Sequence, residues 1–187
     1  MKNVLSALCV WALLSSQAFA YGGSVTQPHP WTDSGSDTSQ TVTLGSSTTA
    51  YSVGNAIVPA SGTQSFSIVN TAGGALLQRM RLISNDTAGA WAAVSVNIDL
   101  WTAAPTGLTD HTAYAPSGTS GWIGQFQCTF SNLTYGDGAV ADCKPIGVQP
   151  IVVLASGTTI YWSAYAATAT GAITASKTLT LVEEFAN

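Results

Sequence analysis

Few side chains in this sequence of 187 residues are able to do acid–base, nucleophilic or metal chemistry. It holds two histidines, nine acidic residues and five basic ones. His111 follows Asp110, and a histidine beside a carboxylate is the arrangement that activates a hydroxyl nucleophile. Serines are abundant, but none stands in a G-x-S-x-G elbow, so no triad is specified. His29 lies between Pro28 and Pro30. Asp99 and Asp110 are the two carboxylates a glycosidase could be offered, yet Asp99 falls where an outward polar residue of a strand is expected. Asp137, Asp142 and Asn132 carry the oxygen ligands calcium prefers, but the D-x-D-x-D-G spacing is missing. Asp137-Gly138 reads as a turn. HExxH and CxxC are absent. The sequence therefore specifies no catalytic residue, no metal site and no cofactor, and the chain is expected not to be an enzyme.

The scarcity of charge narrows the classes further. Charged residues make up 7% of the chain, with a net charge of −4, against roughly 25% charged residues in an average domain. A nucleic-acid partner needs a basic patch, which five Lys and Arg do not supply. A helical bundle needs Glu, Lys and Arg in quantity. The hydrophobic fraction of 46% is enough for a packed core and argues against disorder.

The aromatic residues are the more informative set. Trp31, Trp91 and Trp101 are candidate contact residues. Trp31 is the one large apolar residue in a polar stretch. Trp91 and Trp101 share parity with Asn97 and Asp99 and not with the core-facing Val94, Val96, Ile98 and Leu100. An outward tryptophan can stack on a sugar or pack on a neighbouring subunit. The alternative is that each folds over the edge of its own core.

Residues 1–20 have the layout of a secretory signal peptide. Lys2 is followed by an apolar run from Val4 to Leu14, and Ala18-Phe19-Ala20 supplies the small-residue cleavage pattern. The run is too short to span a bilayer, so no membrane association is expected once it is removed. Cleavage would also remove Cys9 and leave Cys128 and Cys143. The point midway between these two lies beside Asp137-Gly138. A hairpin turning there sets the cysteines opposite each other, within disulfide range. Residues 21–47, rich in Gly, Ser and Thr, read as a flexible arm.

The elements that must position everything else are strands. Period-two alternation marks Val94–Leu100, Leu76–Leu82, Phe66–Ile68, Ile160–Tyr165 and Thr178–Leu181. Gln149–Leu154 contains an apolar run suited to a strand buried on both faces. Gly-, Asn- and Ser-rich turns separate these segments. The expected fold is all-β: a single β-sandwich, jelly-roll-like, over residues 48–187, with a flexible N-terminal arm.

Several segments, in order, resemble the head-decoration or cement proteins of tailed bacteriophages. They are Thr49-Ala50-Tyr51-Ser52-Val53-Gly54-Asn55-Ala56-Ile57, then Leu100-Trp101-Thr102-Ala103-Ala104-Pro105-Thr106. Asp110, Ala113-Tyr114-Ala115-Pro116-Ser117, Ile123-Gly124 and Ser156-Gly157-Thr158-Thr159-Ile160-Tyr161 follow. The resemblance spans roughly residues 48–185. It implies a β-sandwich without an active site that binds the major capsid protein or other virion proteins, working as a homo-oligomer. The signal peptide and the cysteine pair depart from that pattern, because phage heads assemble in the cytoplasm. The location is thus the virion, or the exterior if the signal is used. The competing function is a secreted glycan-binding or adhesin-like module that holds sugar with Trp101 or Trp91.

Overall fold

Alternating residues resolve into nine antiparallel strands in a computed structural model. It describes residues 37–60, 64–67, 76–86, 89–130, 138–147 and 159–186. The strands are β1 (Asp37–Thr43), β2 (Ala56–Ile57), β3 (Ser65–Ser67), β4 (Leu76–Ser84), β5 (Ser95–Trp101), β6 (Trp122–Phe130), β7 (Ala139–Pro145), β8 (Thr159–Ala166) and β9 (Thr178–Ala186). Helical structure among the described residues is limited to one 3-10 turn, Thr119–Gly121. The expected all-β fold is what the chain forms. The signal peptide, Trp31, His29 and the strand expected at Gln149–Leu154 lie outside the described residues.

All the strands belong to one sheet, in the order β1-β9-β4-β7-β6-β5-β8-β2, with β3 also pairing β8. The sheet curls until its ends meet. Leu44, just after β1, bridges Pro59, just after β2. The Ala60 N–H donates to the Thr43 carbonyl, 2.9 Å. The two layers of the sandwich are thus two halves of one rolled sheet. Between them lie Val96, Ile98 and Leu100 of β5, Phe126 and Phe130 of β6, Met80 and Leu82 of β4, Leu179 and Leu181 of β9 and Trp162 of β8, all buried. Removing this apolar surface from water is the main term favouring the fold.

Two departures from the sequence pattern have local causes. β1 occupies residues expected to belong to the flexible arm, and it pairs with β9 along its whole length. Its pattern was hidden because Gln40 takes an inward place: the Trp162 indole Nε1–H donates to Gln40 Oε1 at 2.6 Å. On β4, Leu77 is buried although it is out of step with Met80 and Leu82. The register to β9 shifts between Leu77 and Arg79, and such a bulge exchanges the two faces.

β6 and β7 form the hairpin expected around the cysteines. Cys128 and Cys143 are register partners, and their sulfurs are bonded, with Cα atoms 3.9 Å apart. The tip of that hairpin, with Asn132 and Asp137, is outside the described residues.

Candidate contact surface

β5 is buried on both faces. Its core face is apolar, but its other face carries Asn97, Asp99 and Trp101, exposed by only 8%, 5% and 2%. Residues 102–121 leave β5 and return to β6. The base of this excursion is closed by the Thr102 N–H donating to the Gly121 carbonyl, 2.7 Å. The approach needs glycine: a Cβ on Gly121 would come within 2.8 Å of Thr102 Oγ1 and 2.9 Å of the Ala103 nitrogen.

Asp99 gathers three donors from this surrounding. Tyr114 Oη donates at 2.7 Å, Trp122 Nε1 at 3.0 Å and Gln125 Nε2 at 3.0 Å. Tyr114 Oη also shares a hydrogen with Ser163 Oγ at 2.6 Å, and Trp101 Nε1 donates to the same hydroxyl at 2.9 Å. Burial, with the Asp99 carboxylate as a further cause, pushes the Tyr114 phenol above its usual range. It therefore stays a donor. Tyr114 stacks on Tyr165 at 4.5 Å between centroids. Asn97 Nδ2 and Gln125 Nε2 both donate to Tyr165 Oη, at 2.8 and 3.1 Å, and Gln127 Nε2 donates to Asn97 Oδ1 at 3.1 Å.

Asp110 and His111 tie the excursion to residues 49–58. Asp110 Oδ1 accepts from Tyr51 Oη at 3.0 Å and from the Val58 N–H at 2.9 Å, while Oδ2 faces His111 Nδ1 at 2.9 Å. His111 Nε2, the atom a serine nucleophile would need, instead faces the Thr49 carbonyl at 2.9 Å. The imidazole stacks on Tyr51, centroids 4.0 Å apart, and the His111 backbone has a φ of 59°. That left-handed conformation is costly for a histidine and persists because contacts on every side fix it. Burial, aided by Asp110, raises the Tyr51 phenol as well. The Asp–His pair is thus a structural clamp. Asp99 and Asp110, the two carboxylates a glycosidase could use, are each held by their own donors.

The segments that carry the resemblance come together here. Asn55 bridges Ala113, and Thr106 bridges Ser117. The Ala56 N–H donates to the Thr112 carbonyl at 2.7 Å, and the Tyr114 N–H to the Gly54 carbonyl at 2.8 Å. Trp101 is the register partner of Tyr161. Beside them is a cleft of about 160 Å³ between Pro105–Leu108 and Trp162–Ser163, and none of its lining residues is ionisable.

Two of the three candidate contact tryptophans need correction. Trp91 is 0% exposed and lies in the core, 5.4 Å from the Phe130 ring and 6.4 Å from Tyr51. It precedes β5 in a turn, so strand parity does not govern it. Trp101 does point away from the core as its parity says, but it is buried there, with its indole N–H donating to Ser163. Trp31 is outside the described residues. The exposed indole is Trp122, at 54%. Counting back by twos from inward Phe126 places Trp122 inward. The structure instead shifts register between Leu100 and Trp101, pairing Trp101 with Trp122, and the bulge turns the indole outward. Val53 at 67% and Ile146 at 41% are the other large apolar side chains exposed among the described residues. Asp142, considered above as a calcium ligand, is ion-paired with Arg79 at 2.8 Å. Among the described residues there is no group of three or more His, Cys, Asp or Glu able to hold a metal.

No family model and no curated protein matches the chain. Among solved structures it is similar to the capsid of Ralstonia phage GP4. The identity is 15% and the TM-score 0.42, over 82% of this chain and 84% of that one. It is also similar to the Desmodium yellow mottle tymovirus structure, at 16% identity and a TM-score of 0.26, over 85% and 90% of the two chains. Superpositions this loose do not establish a shared fold, so any role for the chain has to follow from its own residues.

Proposed function

We propose that the chain is a non-enzymatic virion structural protein of the head-decoration type, binding across neighbouring capsid subunits as a homo-oligomer. The observation that carries this reading is the convergence just described. Segments 49–57, 100–106, 113–117 and 156–161, with Asp110 and Ile123-Gly124, resemble decoration proteins in combination, and residues of 49–57, 100–106, 113–117 and 159–161 are paired with one another in space. Segments that act together in one contact need to lie side by side, as these do. Val53 is the large apolar side chain exposed on it, and its chain neighbours Ser52, Gly54 and Asn55 are uncharged. Few charges would have to be desolvated when such a surface is covered. Many weak contacts on one particle add up through avidity. The Cys128–Cys143 bond supports joining the particle in an oxidising medium, since cytosolic thiols stay reduced.

Mass spectrometry of purified virions tests this directly. The chain is expected among the particle proteins in stoichiometric amount, and particles lacking it should lose integrity at lower temperature. Its absence from purified particles would sink the reading.

A further inference from the structure

Trp122 and the amides beside it adjoin the segments proposed to bind the capsid, through Trp101 and Tyr114, but that role leaves their own arrangement unexplained. The indole is more than half exposed yet fixed at one edge, because its Nε1–H is held by Asp99 Oδ1, which also accepts from Gln125, while Oδ2 accepts from Tyr114. A fixed aromatic ring loses little freedom when something stacks on it. Gln125 and Gln127 follow on the same face of β6. Through β5 they stand level with Asp99 and Asn97, and Trp122 stands level with Trp101. Each step is two residues along β5, about 7 Å, so the row is longer than one sugar ring.

The hydrogen-bonding capacity left open along this row is of mixed sign. Tyr165 Oη accepts from both Asn97 and Gln125, so its own proton has no acceptor among the described residues. The Oε1 atoms of Gln125 and Gln127 accept nothing there, since both side chains use their amide nitrogens inward. The row therefore presents a donor and two acceptors beside an apolar ring. Its one carboxylate, Asp99, is 5% exposed and already receives three hydrogen bonds. Lys144, the register partner of Gln127, stands only at the margin. A ligand matching this has an apolar face, hydroxyls that both give and take hydrogen bonds, and no charge.

We propose that the outer face of β5–β6 binds a neutral oligosaccharide of two or three pyranose units, one stacked on Trp122 and its hydroxyls bonded by Gln125, Gln127 and Tyr165. These residues differ from Trp91 and Trp101, which are buried. The proposal is independent of the virion role, because finding no chain in particles would leave it standing.

The test uses the purified full chain on an array of neutral glucose-, galactose- and mannose-type oligosaccharides with sialylated and uronic ones beside them. Binding to at least one neutral group is expected. Trp122→Ala should weaken it tenfold or more. Gln127→Ala, which leaves the Asp99 network whole, should weaken it severalfold with unchanged melting temperature. A blank array would overturn the proposal. So would binding unaffected by both variants, or binding confined to acidic sugars and lost in Lys144→Ala. Loss of particle binding by Trp122→Ala alongside a blank array would overturn it too, marking the face as a protein interface.

Discussion

Asp99 and Glu183 are both buried acids, exposed by 5% and 0%, and the fold treats them in opposite ways. Asp99 lies on the outer side of β5, where an indole, a phenol and an amide from three places in the sequence all donate to it. Glu183 lies in β9, level with Met80 of β4 and Thr38 of β1, and neither of its carboxyl oxygens has a hydrogen-bond partner among the described residues. Burial pushes its pKa up to about 9, with its own backbone N–H as the opposing influence. Asp99 thus organises its neighbourhood by gathering donors, whereas Glu183 is accommodated by keeping its proton. The difference shows why the 102–121 excursion is rigid: Tyr114 and Trp122, before and after its closure, are bound to one oxygen pair. A buried polar group is tolerable when satisfied, and costly when a partner is removed.

The largest effect is expected from breaking the satisfied member. Asp99→Ala removes the acceptor of three hydrogen bonds and should cost about 4 kcal/mol in denaturant unfolding. Tyr114 and its stacking on Tyr165 would loosen with it. Asp99→Asn keeps one acceptor oxygen and should cost about half as much. Equal stability for the wild type and Asp99→Ala would mean that the network holds nothing together.

Next comes the disulfide, which lies in the row that contains Glu183. Glu183, Met80, Cys143 and Cys128 are successive register partners across β9, β4, β7 and β6. The bond closes a sequence separation of 15 residues, worth about 3 kcal/mol in the chain-entropy model. The double variant Cys128→Ala, Cys143→Ala should lose roughly that much. If the bond also keeps water from Glu183, the variant should show weaker pH dependence as well.

Glu183 itself gives a third effect, read as a dependence of stability on pH rather than as a loss at one pH. Its folded-state pKa is raised from 4.5 to about 9, so the folded protein holds a proton that the unfolded chain releases. Its contribution is fully present below about pH 4.5 and is lost as pH rises through about 9. The slope from this one group is at most about 1.4 kcal/mol per pH unit. Glu183→Gln cannot ionise and should flatten the curve between those limits. Parallel curves for variant and wild type would show that Glu183 is solvated after all.

Much of this was legible in the sequence, and each miss has its own local cause. The strands of Val96, Met80, Trp162 and Leu179 follow from alternation, and the cysteine pairing follows from the midpoint of a hairpin. β1 was missed because Gln40 fills an inward position and satisfies Trp162, which looks polar to any hydrophobic pattern. Trp122 was missed because a single bulge reverses parity, and a bulge has no signature here beyond the preceding glycine. Trp101 had the right parity and the wrong environment, since it is buried on the outer side with its indole bonded to Ser163 of β8. Alternation reports which side of a strand a residue is on. It does not report what lies over that side, and the whole contact surface depends on that.

Val53→Asp extends the comparison to a third carboxylate, one placed in water. Val53 is 67% exposed on a turn held without it. The Ser52 N–H donates to Asn55 Oδ1 at 2.8 Å, the Asn55 N–H donates to the Ser52 carbonyl at 3.0 Å, and Gly54 takes the positive φ of 80°. An added acid there needs neither donors nor a retained proton, so folding stability should change by less than about 0.5 kcal/mol. Binding to particles should respond quite differently. Covering that turn with a capsid subunit would bury the new charge without the donors that Asp99 has, and such desolvation costs several kcal/mol. Co-sedimentation with particles is therefore expected to fall at least tenfold while the melting temperature holds. Unchanged co-sedimentation would move the contact away from residues 49–57.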